Sequence, residues 1–391
     1  MSKQLLFLVN SDFGISNTIG IRVKPIVDNV KERNFSYLVL CRGLKKNLEE
    51  KYNCKIIFPF ARYIMKILTA IPIYIFPNFP ANEIKNFLFE IALYHILKKY
   101  INNNFKNSFI VHSWEFLPKI YRFLKGTNRK ITIIQDIAIA FPTVLTKREQ
   151  LEILGKSIDD IPKYIKNSLN YIDYFISPSE FVKESLLKLG INEDKIFVVP
   201  FGVDINKFKP IEKKHNETFK VAFSGNVNKR KGIPFLIRAW KELNLKNAEL
   251  HIYGRIYPEV KNYLKDAKKY NIFLHGFTKN IEKVLPYHDI YVFPSLLEGS
   301  AKSIYEALAC GLPVITTKNS GSIVEDGKEG FIIPTCNVEA IKEKILYFYK
   351  NRKKIKELGL NARKKAEKYT WENYGKNIAD IYEKIGISIK I

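Results

Sequence analysis

The sequence predicts an α/β protein made of two doubly wound domains with a cleft between them. Short apolar runs alternate with amphipathic segments of helical length, which is typical of parallel sheets wound with helices. A charged stretch at residues 207–220 interrupts this alternation, which then restarts. The length of 391 residues also fits two domains of about 150–200 residues each.

Apolar runs bounded by polar or turn-forming residues supply the strands of the first predicted domain. They lie at residues 5–9, 37–40, 56–58, 109–111, 131–134, 174–176 and 196–199. A helix is predicted over residues 83–100. The turn at residues 200–204 ends the last of these strands, and the charged residues that follow it indicate an interdomain linker.

The same alternation after the linker predicts a second domain. Its strands lie at residues 219–223, 249–253, 272–274, 290–293, 313–316 and 331–333, and a last helix begins at Trp371. We therefore predict one Rossmann-like domain over 1–206, a second over 207–370, and a final helical segment over 371–391 that returns to the first domain. Ligands of such sheets bind beyond the carboxyl ends of the strands, which predicts a site in the cleft.

The formal net charge of +25 has two interpretations. Lysine far outnumbers arginine, and isoleucine and asparagine recur throughout, as in a chain from an A/T-rich coding background. The alternative is attraction to anions such as nucleotide phosphates, nucleic acid or an acidic membrane surface. Because no nucleic-acid recognition motif is present, we expect no nucleic acid partner.

Cysteine usage and hydropathy predict a cytoplasmic protein. The four cysteines form no CxxC pair and no Cys/His cluster with zinc spacing. The first apolar run is too short for a signal peptide, and no run approaches the ~18–20 apolar residues of a membrane span. Residues 60–106 interleave basic, aromatic and aliphatic residues. Core helices with solvated lysines are the favoured interpretation, and a peripheral surface for the anionic inner face of a membrane is the alternative.

Residues 293–315 carry the strongest chemical signal. They read FPSLLEGSAKSIYEALACGLPVI, which predicts a strand, a turn and a helix that starts near Ser300. Glu298 lies in the turn and Glu306 in the helix, and Gly299 allows the backbone to approach a ligand. The amides at a helix N-terminus form an anion site suited to a diphosphate. Here they belong to Ser300, Ala301 and Lys302.

Residues 223–236, FSGNVNKRKGIPFL, predict a second strand, turn and helix. Gly225 begins the turn, and Arg230 and Lys231 come just before the helix. A basic tripeptide is usually a solvated loop, but this one lies at the carboxyl end of a strand, where an anion is expected.

The string over 293–315 resembles the E-x7-E signature of the GT4 family of retaining glycosyltransferases, and the resemblance continues through 320–322, 326–327 and 329–331. It implies the GT-B fold, with an acceptor-side first domain and a second domain that binds the nucleotide-sugar. It also implies that Glu298 contacts the donor sugar and that Glu306 hydrogen-bonds the nucleotide ribose.

The basic loop resembles the diphosphate loop of the same family, which usually has Gly-Arg and then Lys-Gly. Lys231 matches the lysine. Asn226 stands where the family has arginine, so we predict Arg230 as the second cation. The predicted catalytic residues are thus Glu298, Lys231 and Arg230.

The first domain matches the family less closely. Gly14 lies in a loop that resembles a glycine-containing loop near the donor phosphates, although a plain strand-to-helix turn looks the same. Gln135 replaces the family's histidine, and it can bind a sugar hydroxyl but cannot carry a proton. His112 also follows a strand, and a structural histidine is its favoured interpretation.

The resemblance implies a retaining, metal-independent glycosyltransferase without a cofactor, for which we expect a UDP- or GDP-sugar donor. The expected acceptor is a glycan or lipid-linked saccharide, in cell-envelope polysaccharide or glycoconjugate synthesis. The alternative is a catalytically weak nucleotide-sugar-binding subunit on the same fold, which Asn226 and Gln135 favour slightly and the intact glutamate pair opposes. A hydrolase or epimerase of similar shape is a third possibility.

Overall fold

The computed structural model describes residues 4–13, 19–44, 48, 50–56, 81–105, 108–212 and 218–388. Their strands form two parallel sheets, one of seven strands and one of six. The predicted fold class, α/β with two doubly wound, Rossmann-like domains, is confirmed.

The first sheet contains the strands β1 (Gln4–Phe13), β2 (Ser36–Leu44), β3 (Cys54–Ile56), β4 (Ser108–Ser113), β5 (Lys130–Asp136), β6 (Tyr174–Ser177) and β7 (Ile196–Val198), in the order β3-β2-β1-β4-β5-β6-β7. Its helices are α1 (Gly20–Glu32), α2 (Ala81–Asn104), α3 (Pro118–Lys125), α4 (Lys147–Leu154), α5 (Lys163–Leu169) and α6 (Glu180–Leu187). Leu5 and Phe7 face one hydrophobic core, and Leu6 and Leu8 face the other. Because both faces are covered, the strands are continuous apolar runs.

The second sheet contains the strands β8 (Phe219–Ser224), β9 (Ala248–Tyr253), β10 (Ile272–Gly276), β11 (Ile290–Phe293), β12 (Val314–Thr317) and β13 (Gly330–Ile333), in the order β10-β9-β8-β11-β12-β13. Its helices are α7 (Ile233–Leu243), α8 (Lys302–Ala309), α9 (Val338–Lys350) and α10 (Arg352–Glu367), and α11 (Trp371–Ser388) ends the described chain. The strand order reverses between β8 and β11. Such a switch point opens a crevice at the carboxyl ends of both strands, where ligands bind.

Every predicted strand overlaps an observed one, although residues 57–58 of the third lie outside the described residues. The predicted helix over 83–100 is part of α2, whose Phe89, Leu93 and Leu97 are buried. This burial supports the core interpretation for α2, whereas residues 57–80 are not described. Within the described ranges, no helix is long and apolar enough to cross a membrane.

The chain passes twice between the two sheets, and the two crossings lie side by side. The Val203 amide donates to the Tyr369 carbonyl at 2.9 Å. A Cβ on Gly202 would lie 2.3 Å from the Trp371 nitrogen, so only glycine fits this contact. Beyond the second crossing, α11 packs on α1 of the first sheet, where Arg33 pairs with Asp380 at 2.7 Å.

Candidate active site

The loop between β11 and α8 places Glu298 at the switch point of the second sheet. Pro294 follows β11 directly, and the loop turns through buried Ser295 to Glu298, which is 9% exposed. The Ser295 hydroxyl lies 3.1 Å from Glu298 Oε1 and also 3.1 Å from the Arg230 carbonyl. Since a hydroxyl donates one proton, it can bond only one of them at a time.

The basic loop after β8 folds into a single 3-10 turn, Lys229–Lys231, at the start of α7. Asn228 caps the turn, because its Oδ1 accepts the Lys231 amide at 3.1 Å. Gly232 then adopts φ +73°, and a Cβ there would lie 2.0 Å from the Pro294 carbonyl oxygen. The glycine therefore allows the basic turn to pack against the loop that carries Glu298.

Arg230, Lys231 and Glu298 form one charge cluster. Arg230 Nη1 donates to Glu298 Oε1 at 2.6 Å and to the Leu297 carbonyl at 2.6 Å. The Lys231 ammonium contacts the same carboxylate oxygen and lies 4.8 Å from the centre of the Phe293 ring. Burial lowers the pKa of Lys231, and the charge of Glu298 opposes this shift. Two cations facing one carboxylate give the cluster an excess positive charge.

Gly225 forms the turn before this basic loop. Its φ is +142°, and its amide donates to the Tyr253 carbonyl at 2.9 Å. A Cβ on Gly254 would lie 1.7 Å from the Gly225 carbonyl oxygen, so the turns after β8 and β9 are in contact. Asn226, where the family has arginine, is exposed.

The helix α8 begins at Lys302, within two residues of the predicted start near Ser300. The Ala301 amide, however, already donates to the Ser320 carbonyl at 3.1 Å. The Ser300 hydroxyl donates to the Gly321 carbonyl at 2.8 Å. The expectation that all three amides are available to an anion is therefore wrong for Ala301. Burial lowers the pKa of the Lys302 ammonium, against the opposing charge of Glu306.

Glu306 lies in α8 as a half-buried carboxyl group. Burial raises its pKa to about 7, while the charges of Lys302 and Lys207 act to lower it and Glu282 acts to raise it. Among the described residues, no hydrogen bond to its carboxylate is found, so its oxygens are available to a ligand.

Gly299 approaches the first domain, whereas the sequence suggested that it approaches a ligand. A Cβ on Gly299 would lie 2.0 Å from the Ala138 carbonyl oxygen. The Gly299 carbonyl accepts from the Ser179 hydroxyl at 2.5 Å, and the Glu298 carbonyl accepts from the Ala140 amide at 3.3 Å. The site therefore lies where the two domains meet.

Gln135 is not available to a sugar, which corrects the expectation from its sequence position. It is fully buried, and its Oε1 accepts from the Tyr121 hydroxyl at 2.6 Å. Its Nε2 lies 3.2 Å from the Ser113 carbonyl oxygen. Packing within the first domain thus holds both ends of the side chain.

The surroundings of His112 favour its interpretation as a structural residue. It is fully buried, stacks on Trp114 with 4.1 Å between ring centres, and its Nδ1 lies 2.5 Å from the Tyr382 hydroxyl. Burial lowers the pKa of His112, while Asp136 opposes the shift. Gly14 lies outside the described residues.

Several residues of the site could not be found from sequence motifs. Asn319 Nδ2 donates to the Leu296 carbonyl at 2.9 Å, and the backbone carbonyl of Asn319 accepts the Glu298 amide at 3.0 Å. Ser295 and Asn228 shape the same loops. Among the described residues, no group of three or more His, Cys, Asp or Glu side chains lies close enough together to hold a metal ion.

Solved structures first define the class of fold. The Anabaena protein Alr3699/HepE, determined in complex with UDP, aligns with a TM-score of 0.68 at 16% identity, over 97% of this chain and 100% of that one. This similarity shows a GT-B architecture.

Sequence comparisons then define the family. Residues 204–365 match the family Glycosyl transferases group 1, and residues 26–207 match Glycosyltransferase Family 4. A glycosyltransferase of Methanocaldococcus jannaschii is 24% identical over 353 residues, which are 80% of this chain and 90% of that one. The N,N'-diacetylbacillosaminyl-diphospho-undecaprenol alpha-1,3-N-acetylgalactosaminyltransferase of Campylobacter jejuni is 22% identical over 364 residues, 84% of this chain and 96% of that one. The chain belongs to the glycosyltransferases of the GT4 type.

Proposed function

We propose that this protein is a retaining, metal-independent glycosyltransferase that transfers a sugar from a UDP- or GDP-sugar to a glycan or lipid-linked saccharide. The observation that carries the proposal is the cluster of Arg230, Lys231 and Glu298 at the strand switch point, with the available carboxylate of Glu306 in the adjoining helix.

In the proposed reaction the bond between the anomeric carbon and the diphosphate breaks. The acceptor hydroxyl oxygen bonds to the same face of that carbon, and the hydroxyl proton leaves with the nucleoside diphosphate. Arg230 and Lys231 stabilise the negative charge that develops on the leaving group. Fixed charges of this kind can supply the largest catalytic contribution, on the order of 100- to 1000-fold in rate for a single donor.

Glu298 and Glu306 have separate proposed roles. A diphosphate carries more negative charge than the single carboxylate that now contacts Arg230 and Lys231. Donor binding therefore draws these cations to the phosphates and leaves Glu298 to accept hydrogen bonds from the sugar hydroxyls. The Glu306 carboxylate accepts the ribose hydroxyls. In this proposal the backbone amides of Ser300 and Lys302 line the same pocket beside the turn at Gly225, and Gly14 is proposed to approach the phosphates.

A lipid-linked acceptor is supported by the Campylobacter jejuni relative, which is named as a transferase for a diphospho-undecaprenol-linked saccharide. The net charge of +25 supports peripheral contact with an anionic membrane on its cytoplasmic face. The proposed role of the reaction is cell-envelope polysaccharide or glycoconjugate synthesis.

The second candidate function is a nucleotide-sugar-binding subunit with weak catalysis. Two observations favour it: Gln135 is held within its own domain, and Asn226 is exposed where the family has arginine. Donor binding without release of nucleoside diphosphate in the presence of envelope acceptors would identify this alternative.

The test is thermal stabilisation by a panel of UDP-, GDP-, ADP- and CMP-sugars with EDTA present. We expect one nucleotide class to raise the melting temperature of the wild type and not that of Glu306→Ala. Glu325→Ala is the matched control, because Glu325 is an exposed carboxylate of the same domain that pairs with Lys328. If no nucleotide-sugar stabilises the wild type, the proposed donor site is wrong.

A further inference from the structure

The connection between β5 and α5 in the first domain reaches the loops of the second domain. The Ala140 amide donates to the Glu298 carbonyl at 3.3 Å. Farther along the connection, Arg148 Nη2 donates to the Cys336 carbonyl at 3.2 Å. This connection therefore bridges the cleft beside the candidate catalytic loop.

Glu149 makes the most extensive of these contacts. It is 6% exposed, and its Oε2 accepts the Thr146 amide at 2.7 Å, which completes a capping box at the start of α4. Its Oε1 reaches the second domain, where it accepts from Asn319 Nδ2 at 2.7 Å and from the Thr335 hydroxyl at 2.6 Å. A helix cap alone needs only the first set of bonds. The second set joins the two domains through a buried carboxylate.

Asn319 also forms hydrogen bonds with the loop that carries Glu298. Its Nδ2 also donates to the Leu296 carbonyl at 2.9 Å, and its carbonyl accepts the Glu298 amide at 3.0 Å. The side chain and the backbone of Asn319 thus hold the loop on both sides of Leu297. Glu149 fixes the orientation of the Asn319 amide, since a carboxylate accepts only from the NH2 end.

We propose that Glu149 is a positioning residue that ties the geometry of the Glu298 loop to the closed arrangement of the two domains, acting through Asn319. The inference rests on the proposed catalytic role of Glu298. When the domains separate, the bonds from Glu149 to Asn319 and from Ala140 to Glu298 break together, so the Asn319 side chain that holds the loop loses the carboxylate that orients it. The site is therefore fully ordered only when the first domain is docked.

The principal variant is Glu149→Ala, which removes the bonds of this carboxylate to Asn319 and Thr335 across the cleft and its part of the capping box of α4. Glu149→Gln keeps one oxygen acceptor for Asn319 and is the conservative rescue. Gln150→Ala is the matched control, because Gln150 is similarly buried in the same helix and its bonds among the described residues stay within its own domain, for example to the Pro142 and Ile158 carbonyls.

The first readout is hydrogen exchange of the unliganded protein, which needs no knowledge of the substrate. We expect Glu149→Ala to reduce protection of the Glu298 amide about 10- to 100-fold, the range set by losing one hydrogen bond to a charged group. Gln150→Ala should reduce protection only near residues 146–160, and Glu149→Gln should restore most of the Glu298 protection. If the two alanine variants change the Glu298 amide equally, or neither changes it, the proposal is wrong.

The second readout is steady-state release of nucleoside diphosphate from the donor that the stabilisation panel identifies. A displaced loop lowers kcat, and we expect a loss on the order of 10- to 100-fold for Glu149→Ala with little change in donor KM. A purely structural role would leave kcat per folded molecule unchanged. If no donor is turned over but the Glu298 amide responds as predicted, the coupling holds and the proposed function fails.

Discussion

Replacing Glu306 with glutamine isolates the ionisation of a carboxyl group that the proposed donor site requires. Burial raises the pKa of Glu306 from 4.5 to about 7. Below pH 4.5 the group is protonated in both the folded and the unfolded protein, so it contributes no pH-dependent free energy. Between pH 4.5 and 7 the unfolded chain ionises first, which lowers the free energy of unfolding as the pH rises. Above pH 7 the group is ionised in both states, so its destabilising effect on the free energy of unfolding no longer changes with pH.

The magnitude follows from the size of this pKa change. A tenfold change in proton affinity corresponds to about 1.4 kcal/mol, so raising the pKa from 4.5 to about 7 lowers the free energy of unfolding at pH 8 by at most about 3–4 kcal/mol. A half-buried side chain keeps some contact with water, which makes this an upper bound. Glu306→Gln removes the ionisable group. We expect the unliganded variant to be more stable than the wild type, and the difference in the free energy of unfolding to be larger at pH 8 than at pH 5.

Urea unfolding of the wild type and Glu306→Gln at several pH values between 5 and 8 measures this difference. Glu325→Gln is a control that should change stability in the opposite direction, because Lys328 and Lys365 lower the pKa of Glu325 to about 2. Its ion pairs stabilise the fold at neutral pH and are lost only as the pH falls towards 2. A stability difference between wild type and Glu306→Gln that does not change with pH would refute the assignment of a buried, raised-pKa carboxyl group.

Two further substitutions test the packing that forms the site. Gly232→Ala places a Cβ 2.0 Å from the Pro294 carbonyl oxygen, at a residue whose φ is +73°. We expect the free energy of unfolding to fall by more than about 2 kcal/mol, and calorimetry to show weaker donor binding. Gly155→Ala has a similar φ of +68° with open space around it, so an equal loss there would contradict the steric explanation. Tyr382→Phe removes the hydroxyl partner of buried His112, and we expect guanidinium unfolding to show a loss of about 1–3 kcal/mol; an unchanged midpoint would contradict this role for the contact between α11 and the first sheet.

The strands and the two-domain fold could be predicted because periodicity within the chain determines them. Parallel strands buried on both faces are recognisable as short apolar runs, and the glutamates of the 293–315 segment belong to one strand, turn and helix. The rule that ligands bind at the carboxyl ends of strands predicted that the loops of Glu298 and Lys231 lie at the cleft, whereas the choice of these two residues rested on the resemblance to the GT4 family.

The remaining features of the site depend on contacts between residues distant in the chain. The Ser320 carbonyl accepts the Ala301 amide, and the Tyr121 hydroxyl donates to Gln135. The Ala138 carbonyl packs against Gly299. Glu149 lies 170 residues before its partner Asn319. Neither local periodicity nor the motif reports such pairs, because the packing of the two domains determines them.

The measurement that tests the central claim most directly is calorimetric titration of the nucleoside diphosphate and the nucleoside monophosphate of the preferred base. If Arg230 and Lys231 bind the diphosphate, the wild type should bind the diphosphate at least about tenfold more tightly, or about 1.4 kcal/mol. Lys231→Met should remove most of this preference. Lys229→Met should retain it, because among the described residues Glu298 pairs with Lys231 and Arg230 and not with Lys229. Equal binding of the two nucleotides by the wild type, or an unchanged preference in Lys231→Met, would contradict the account.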